Sequence, residues 1–179
     1  IGKESAYFLS CNRNKKSITL NLRTEGAKKI LAGLIKASDV LVENFRPGTM
    51  ERLGLGYDSL HKLNPKLVYC SVSGFGQTGP YRDQTGFGAI AESMGGMRHV
   101  TGFPDRPPVR MNLSVGDSIA ALHAVIGALA ALQSRHATGR GQVVDVALYE
   151  AVFNLMESTL PEYDRYGVVR ERTGTNLTG

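Results

Sequence analysis

The stretch Asn112–Gln142, NLSVGDSIAALHAVIGALAALQSRHATGRGQ, decides the fold. It holds the longest apolar run in the chain, and a single acid, Asp117, stands at its mouth. The spacing predicts a helix over residues 118–137, capped by Ser114 or Asp117. Ile119, Leu122, Ile126 and Leu129 form one apolar stripe. Ala120, Ala124, Ala128 and Ala131 form a second, small-residue stripe that lets another element come close. Apolar character on two faces predicts a buried helix. The run from Ile119 to Leu132 is short for a bilayer span and contains His123, so a core helix is expected rather than a membrane segment. Gly139, in the run Thr138-Gly139-Arg140-Gly141, suits a left-handed C-cap. Asp117 has two readings at this stage. It can cap the helix through orphaned N–H groups, or it can be a nucleophilic carboxylate whose anionic form the helix N-terminus favours.

Outward from this helix, the chain alternates strand-like and helix-like runs. Ser17–Leu22 alternates with β-branched residues and reads as a strand. Thr24 caps a predicted helix over residues 25–36, and Val40-Leu41-Val42 reads as a buried strand. Strand, helix and strand at this spacing predict a βαβ unit in a parallel sheet. Pro47 opens a short helix through Leu53, and Leu55–Leu63 is another, stopped by Asn64-Pro65. Leu67–Val72 and Gln142–Leu148 read as further strands. Phe87–Met97 reads as a helix closed by Gly95-Gly96, and Ala151–Tyr166 as a helix interrupted by Pro161. Gly74-Phe75-Gly76-Gln77-Thr78-Gly79 matches G-x-G-x-x-G, but Pro80 follows where a dinucleotide fingerprint needs a helix, so no nicotinamide site is assigned.

Composition is that of a globular chain, with 42% hydrophobic and 21% charged residues. The net charge of +5 suits an anionic ligand and falls short of a nucleic-acid patch. Cys11 and Cys70 belong to no metal or redox pattern and read as free thiols. Neither signal peptide nor membrane span is recognised, and a cytoplasmic setting is expected. The start at Ile1 and the polar end at Gly179 suggest an internal segment of a longer polypeptide.

Several stretches together, NRNKKSITLNL, DVLVENFRPGTMERLG, NPKLVYCSVSGFGQTGP and VGDSIAALHAVIGALAALQSRHATGRGQVVDVAL, resemble the family III CoA-transferases in order and spacing. That family includes formyl-CoA transferase, carnitine CoA-transferase, succinyl-CoA–glutarate CoA-transferase and the related 2-methylacyl-CoA racemases. The resemblance implies an α/β fold, part of a Rossmann-like parallel sheet in an interlocked homodimer. Residues 1–150 would be the CoA-binding and catalytic part, and residues 151–179 would lead toward a smaller domain. It implies transfer of CoA from an acyl-CoA to a free carboxylic acid, with Asp117 as catalytic residue. CoA and its thioesters enter as substrate, with no permanent cofactor and no metal. Partners would be acyl-CoA, a small carboxylic acid and a second copy of the chain, without nucleic acid or membrane.

By resemblance, Leu20, Asn21, Leu22, Arg23, Asn44, Phe45, Arg46 and Arg52 belong to the CoA site, as do Thr85, Gly86, Phe87 and Gly88. Arginine forks pair well with phosphate oxygens, which fits Arg23 and Arg52. Two positions depart from the pattern. Many relatives carry an acid at Gly88, and the racemases carry a histidine at Phe87. Racemisation needs two proton carriers, which Phe87 cannot supply; His99 is a distant stand-in. The alternatives left open are a racemase-like enzyme and a non-catalytic CoA-binding domain.

Overall fold

A computed structural model describes Gly2 and residues 4–176. Helix α1 covers Ala6–Cys11, with Ser5 accepting a hydrogen bond from the Phe8 N–H. Residues 15–21 then run as coil. The strand expected at Ser17–Leu22 is absent. Its alternation is real, but among the described residues no other strand lies beside it, and Ile18 is exposed. A strand is a pairing state, and without a partner the backbone groups have no ladder to join.

Helix α2 covers Glu25–Lys36, and Thr24 Oγ1 accepts from the Ala27 N–H, as its capping pattern predicts. Strand β1 is Val40–Glu43, helix α3 is Thr49–Arg52 and helix α4 is Tyr57–Leu63. Strand β2, Val68–Ser73, is followed by helices α5, Gly88–Met94, and α6, Met97–Val100. The expected single helix over residues 87–97 breaks where Gly96 takes φ 90°. Helix α7 is Val115–Thr138, strand β3 is Val143–Ala147, helix α8 is Leu148–Phe153 and helix α9 is Thr159–Tyr166. The break between the last two falls at Asn154–Ser158, before the proline. Pro161 lies in the first turn of α9, where its missing N–H is not needed.

The strands form one parallel sheet in the order β1-β2-β3, with Val40 opposite Val68 and Tyr69 opposite Val143. The fold is therefore α/β, as expected. Successive β2 side chains point to opposite faces and join separate cores. Leu67 and Tyr69 pack with Ile35, Met50, Leu55 and Leu60. Cys70 packs with Ala91, Ile119, Ala120, Ala124, Val146 and Val152. Helices α2 and α4 thus cover one face, and α5, α7 and α8 the other.

Helix α7 packs on β2, β3, α5 and α8 through its small-residue stripe, as expected, while of the large apolar stripe only Ile119 is buried. Ala120, Ala124 and Ala131 are buried, while Leu122, Ile126 and Leu129 are more than 60% exposed. The small residues win because they let the helix axis approach the sheet. A Cβ on Gly127 would meet Val144 Cγ1 at 2.6 Å. The helix also extends beyond the apolar run, and it is the one among the described residues long and apolar enough to cross a membrane. Its alanine face is instead built into the core beside the sheet.

Candidate active site

The carboxyl ends of parallel strands are where ligands of open α/β sheets gather. Here that end opens into a cavity of about 830 Å³. β1 supplies Val42 and Glu43, followed by Asn44; β2 supplies Cys70 and Ser73; Gly86, Phe87 and Gly88 lead into α5; and α7 supplies Asp117 with its alanine face. Asn44, Gly86, Phe87, Gly88 and Asp117, far apart in sequence, therefore share one wall.

Asp117 is not the N-cap. Ser114 holds that position, without a side-chain cap bond, and Asp117 lies in the first turn of α7. Its side chain makes no hydrogen bond or ion pair within the described residues, and it is exposed to the cavity. The carboxylate faces the start of α5, where a Cβ on Gly88 would meet Asp117 Cγ at 2.8 Å. Behind it, Glu92 is 2% exposed and joins the two helices. It accepts from the Gly116 N–H at 3.4 Å and from Arg110 Nε at 3.2 Å. A carboxylate this buried needs such partners.

A second polar network sits beside the cavity. Glu43 accepts from the Phe45 N–H at 2.8 Å and from the Ser71 hydroxyl. Gln77 donates through its side chain to Ser71 at 2.8 Å and through its backbone to Asp145 at 2.9 Å. These bonds tie all three strands to the loop after β2. Sequence reasoning missed Glu92, Ser71 and Asp145. Their partners lie many residues away, so no local pattern announces them.

The remaining expected residues lie elsewhere. Arg46 borders a smaller neighbouring cavity of about 130 Å³ that shares Glu43. Phe45, the neighbour of Arg46 in sequence, is 45% exposed and lines neither cavity. Leu20, Asn21, Leu22 and Arg23 precede α2, where Leu22 packs on the second core and Asn21 Oδ1 accepts from the Arg23 N–H. Arg52 turns back on its own helix and donates to Thr49 Oγ1 at 2.8 Å. Thr85 is exposed next to Gly86. The structure does not bring Leu20, Asn21, Leu22, Arg23, Arg52 or Thr85 to the large cavity. His99 sits at the end of α6, 3.5 Å from Glu171, outside the cavity.

Cys70, like Ser73, is a further nucleophile type in the wall. It is fully buried, and burial, then Glu43 and Asp145, push its thiol pKa up. A raised pKa keeps the thiolate scarce at neutral and mildly alkaline pH. Iodoacetamide at pH 8 is expected to alkylate exposed Cys11 and spare Cys70 until denaturant is added. A peptide map showing native labelling of Cys70 would contradict this. Among the described residues, no group of three His, Cys, Asp or Glu side chains is placed to hold a metal ion.

Comparison with known proteins agrees with this architecture. A family model described as CoA-transferase family III matches residues 1–179. Succinyl-CoA–D-citramalate CoA-transferase of Chloroflexus aurantiacus is 58% identical over 92% of this chain and 41% of its own length. Formyl-CoA:oxalate CoA-transferase of Streptomyces avermitilis is 48% identical over 90% of this chain and 39% of its own length. The chain thus spans about two fifths of the length of these relatives. A crystal structure of a CAIB/BAIF family protein from Brucella suis superposes with a TM-score of 0.92 at 39% identity. It covers 95% of this chain, which corresponds to 45% of that one.

Proposed function

Because the chain belongs to CoA-transferase family III, we propose that the full-length protein moves CoA from an acyl-CoA donor to a free carboxylic acid, with Asp117 as the nucleophile. The observation that carries this is the unpartnered Asp117 carboxylate on the wall of the cavity at the strand ends. Relatives named for succinyl-CoA, citramalate, formyl-CoA and oxalate point to small acyl groups and small carboxylate acceptors. Residues 1–150 would carry CoA binding and chemistry, with residues 151–179 leading to a further part of the protein. Two copies would form the working unit.

The steps follow from the carboxylate. Asp117 attacks the donor thioester carbonyl, the C–S bond breaks, and CoA leaves as thiolate, giving a mixed anhydride. The thiolate attacks the aspartyl carbonyl, the donor acid leaves as carboxylate, and an aspartyl-CoA thioester remains. The acceptor carboxylate attacks that thioester and displaces the thiolate. Thiolate attack on the acceptor's carbonyl then frees Asp117 and forms the new acyl-CoA. Covalent catalysis of this kind splits one difficult transfer into easier ones. No metal or redox cofactor enters. Phe87 on the cavity wall has no ionisable proton and cannot be the second proton carrier, which speaks against the racemase alternative.

The test is to incubate the full-length protein with succinyl-CoA, trap with hydroxylamine, and read the mass of the peptide carrying Asp117. A hydroxamate on Asp117 is expected. An unmodified Asp117 after several donors, with CoA still bound, would reject the covalent reading.

A further inference from the structure

We propose that Gly88 is a positioning residue for the nucleophile: the lack of a side chain there sets where the Asp117 carboxylate lies. The inference rests on the reading of Asp117 given above, and it assigns Gly88 a role other than contact with CoA.

The three heavy atoms nearest to a Cβ built on Gly88 all belong to the Asp117 carboxylate. Oδ2 is closest, Cγ lies at 2.8 Å and Oδ1 at 3.0 Å. The carboxylate therefore rests on the bare Cα of Gly88. No hydrogen bond or ion pair within the described residues holds the Asp117 side chain, and its present position is open to it only because Gly88 carries no Cβ. Backbone conformation does not explain the glycine, because Gly88 is not among the residues with positive φ. The backbone on either side is fixed. A Cβ on Gly116 would meet the Gly88 carbonyl oxygen at 2.9 Å, and Glu92 holds the Gly116 N–H. The two helix starts cannot separate without losing that clamp, so the carboxylate is what yields to an added methyl.

This separates Gly88 from the other crowded glycines. At Gly95 an added Cβ meets Val152 at 2.6 Å and the Ala91 carbonyl at 2.9 Å, both in packed structure. A substitution there loads the fold. At Gly88 it meets the tip of a two-torsion side chain on a cavity wall, so folding is spared and the reacting atoms move. A displacement of roughly 1 Å in a reacting group costs about 100-fold in rate.

The experiment compares Gly88→Ala, Asp117→Asn, Asp117→Glu and the Gly88→Ala/Asp117→Glu double variant in the full-length protein. It reads kcat, KM for succinyl-CoA, hydroxylamine trapping at position 117 and thermal unfolding. For Gly88→Ala, kcat and trapping are expected to fall about 100-fold, with KM within a factor of about three and the melting transition unchanged. In the double variant the two effects on kcat are expected not to multiply, because both act on one carboxylate. Wild-type kcat in Gly88→Ala, strictly multiplicative effects, or a Gly88→Ala protein that loses its fold would each overturn the inference. If Asp117→Asn is inactive while Gly88→Ala is wild type, only the inference fails. Full activity in Asp117→Asn would overturn the underlying reading itself.

Discussion

Asp117→Asn is expected to lower CoA transfer by the full-length protein about 10⁴-fold or more, as loss of a covalent nucleophile does in other enzymes. The substitution keeps shape and size, so packing gives no reason for the loss. Asp117 is exposed and bonded to nothing in the first turn of α7, and the Ser114 cap position is untouched. Thermal unfolding should therefore stay close to wild type while turnover disappears. CoA binding is expected to persist, since the amide removes only the attacking oxygen. A variant with more than a tenth of wild-type kcat would contradict the role assigned to Asp117.

The second large effect falls on stability. Gly141→Ala is expected to cost roughly 2–4 kcal/mol, at or above the usual range for an overpacked site. Gly141 lies between α7 and β3, and its N–H donates to the Pro65 carbonyl at 2.9 Å. An added Cβ would overlap the Leu67 carbonyl and come within 2.7 Å of the Lys66 carbonyl carbon. Both are backbone, so no rotamer change relieves the clash. The link into β3 would have to lift away from the start of β2, straining the bond from the Tyr69 N–H to the Gln142 carbonyl. Gly139→Ala is the control, because a Cβ there meets nothing and only φ 70° opposes it. That strain costs about 1–2 kcal/mol. If the melting curve of Gly141→Ala matched that of wild type, the backbone contact would carry no weight.

The elements legible in the sequence were those whose signals are local. Thr24 with the apolar spacing of Ile30, Leu31 and Ile35 announces α2, and Gly139 announces the end of α7 with its αL cap. Val40–Val42 and Leu67–Val72 are apolar runs between breakers, and they form β1 and β2. What failed depended on partners. Ser17–Leu22 alternates correctly, but pairing is a property of two segments. Both stripes of α7 read as buried, but only the alanine stripe and Ile119 go inward; Leu122, Ile126 and Leu129 stay exposed, because apolar spacing does not say how many faces find a neighbour. The candidate site divides in the same way. Asn44, Gly86, Phe87, Gly88 and Asp117 come from different connections, and only the family resemblance joined them before the structure did. Spacing cannot reveal the Glu92 clamp, whose partners Arg110 and Gly116 lie 18 and 24 residues on.

The loop after β2 has a further consequence. Gly74 and Gly86 cross with their Cα atoms packed against each other. A Cβ on Gly74 would meet the Gly86 N at 3.0 Å, and one on Gly86 would meet the Gly74 carbonyl carbon at 3.2 Å. The chain between them is thus closed at its neck, in the manner of an Ω-loop, with Phe75 and Gln77 pinned inside and residues 78–85 exposed. Insertions and deletions at the tip cost little closure entropy, and the neck keeps them from reaching the cavity wall at Phe87. Evolutionary drift in length and composition is therefore expected to concentrate in residues 78–85. Swapping this tip between relatives should graft new surface without disturbing the ground on which Asp117 stands.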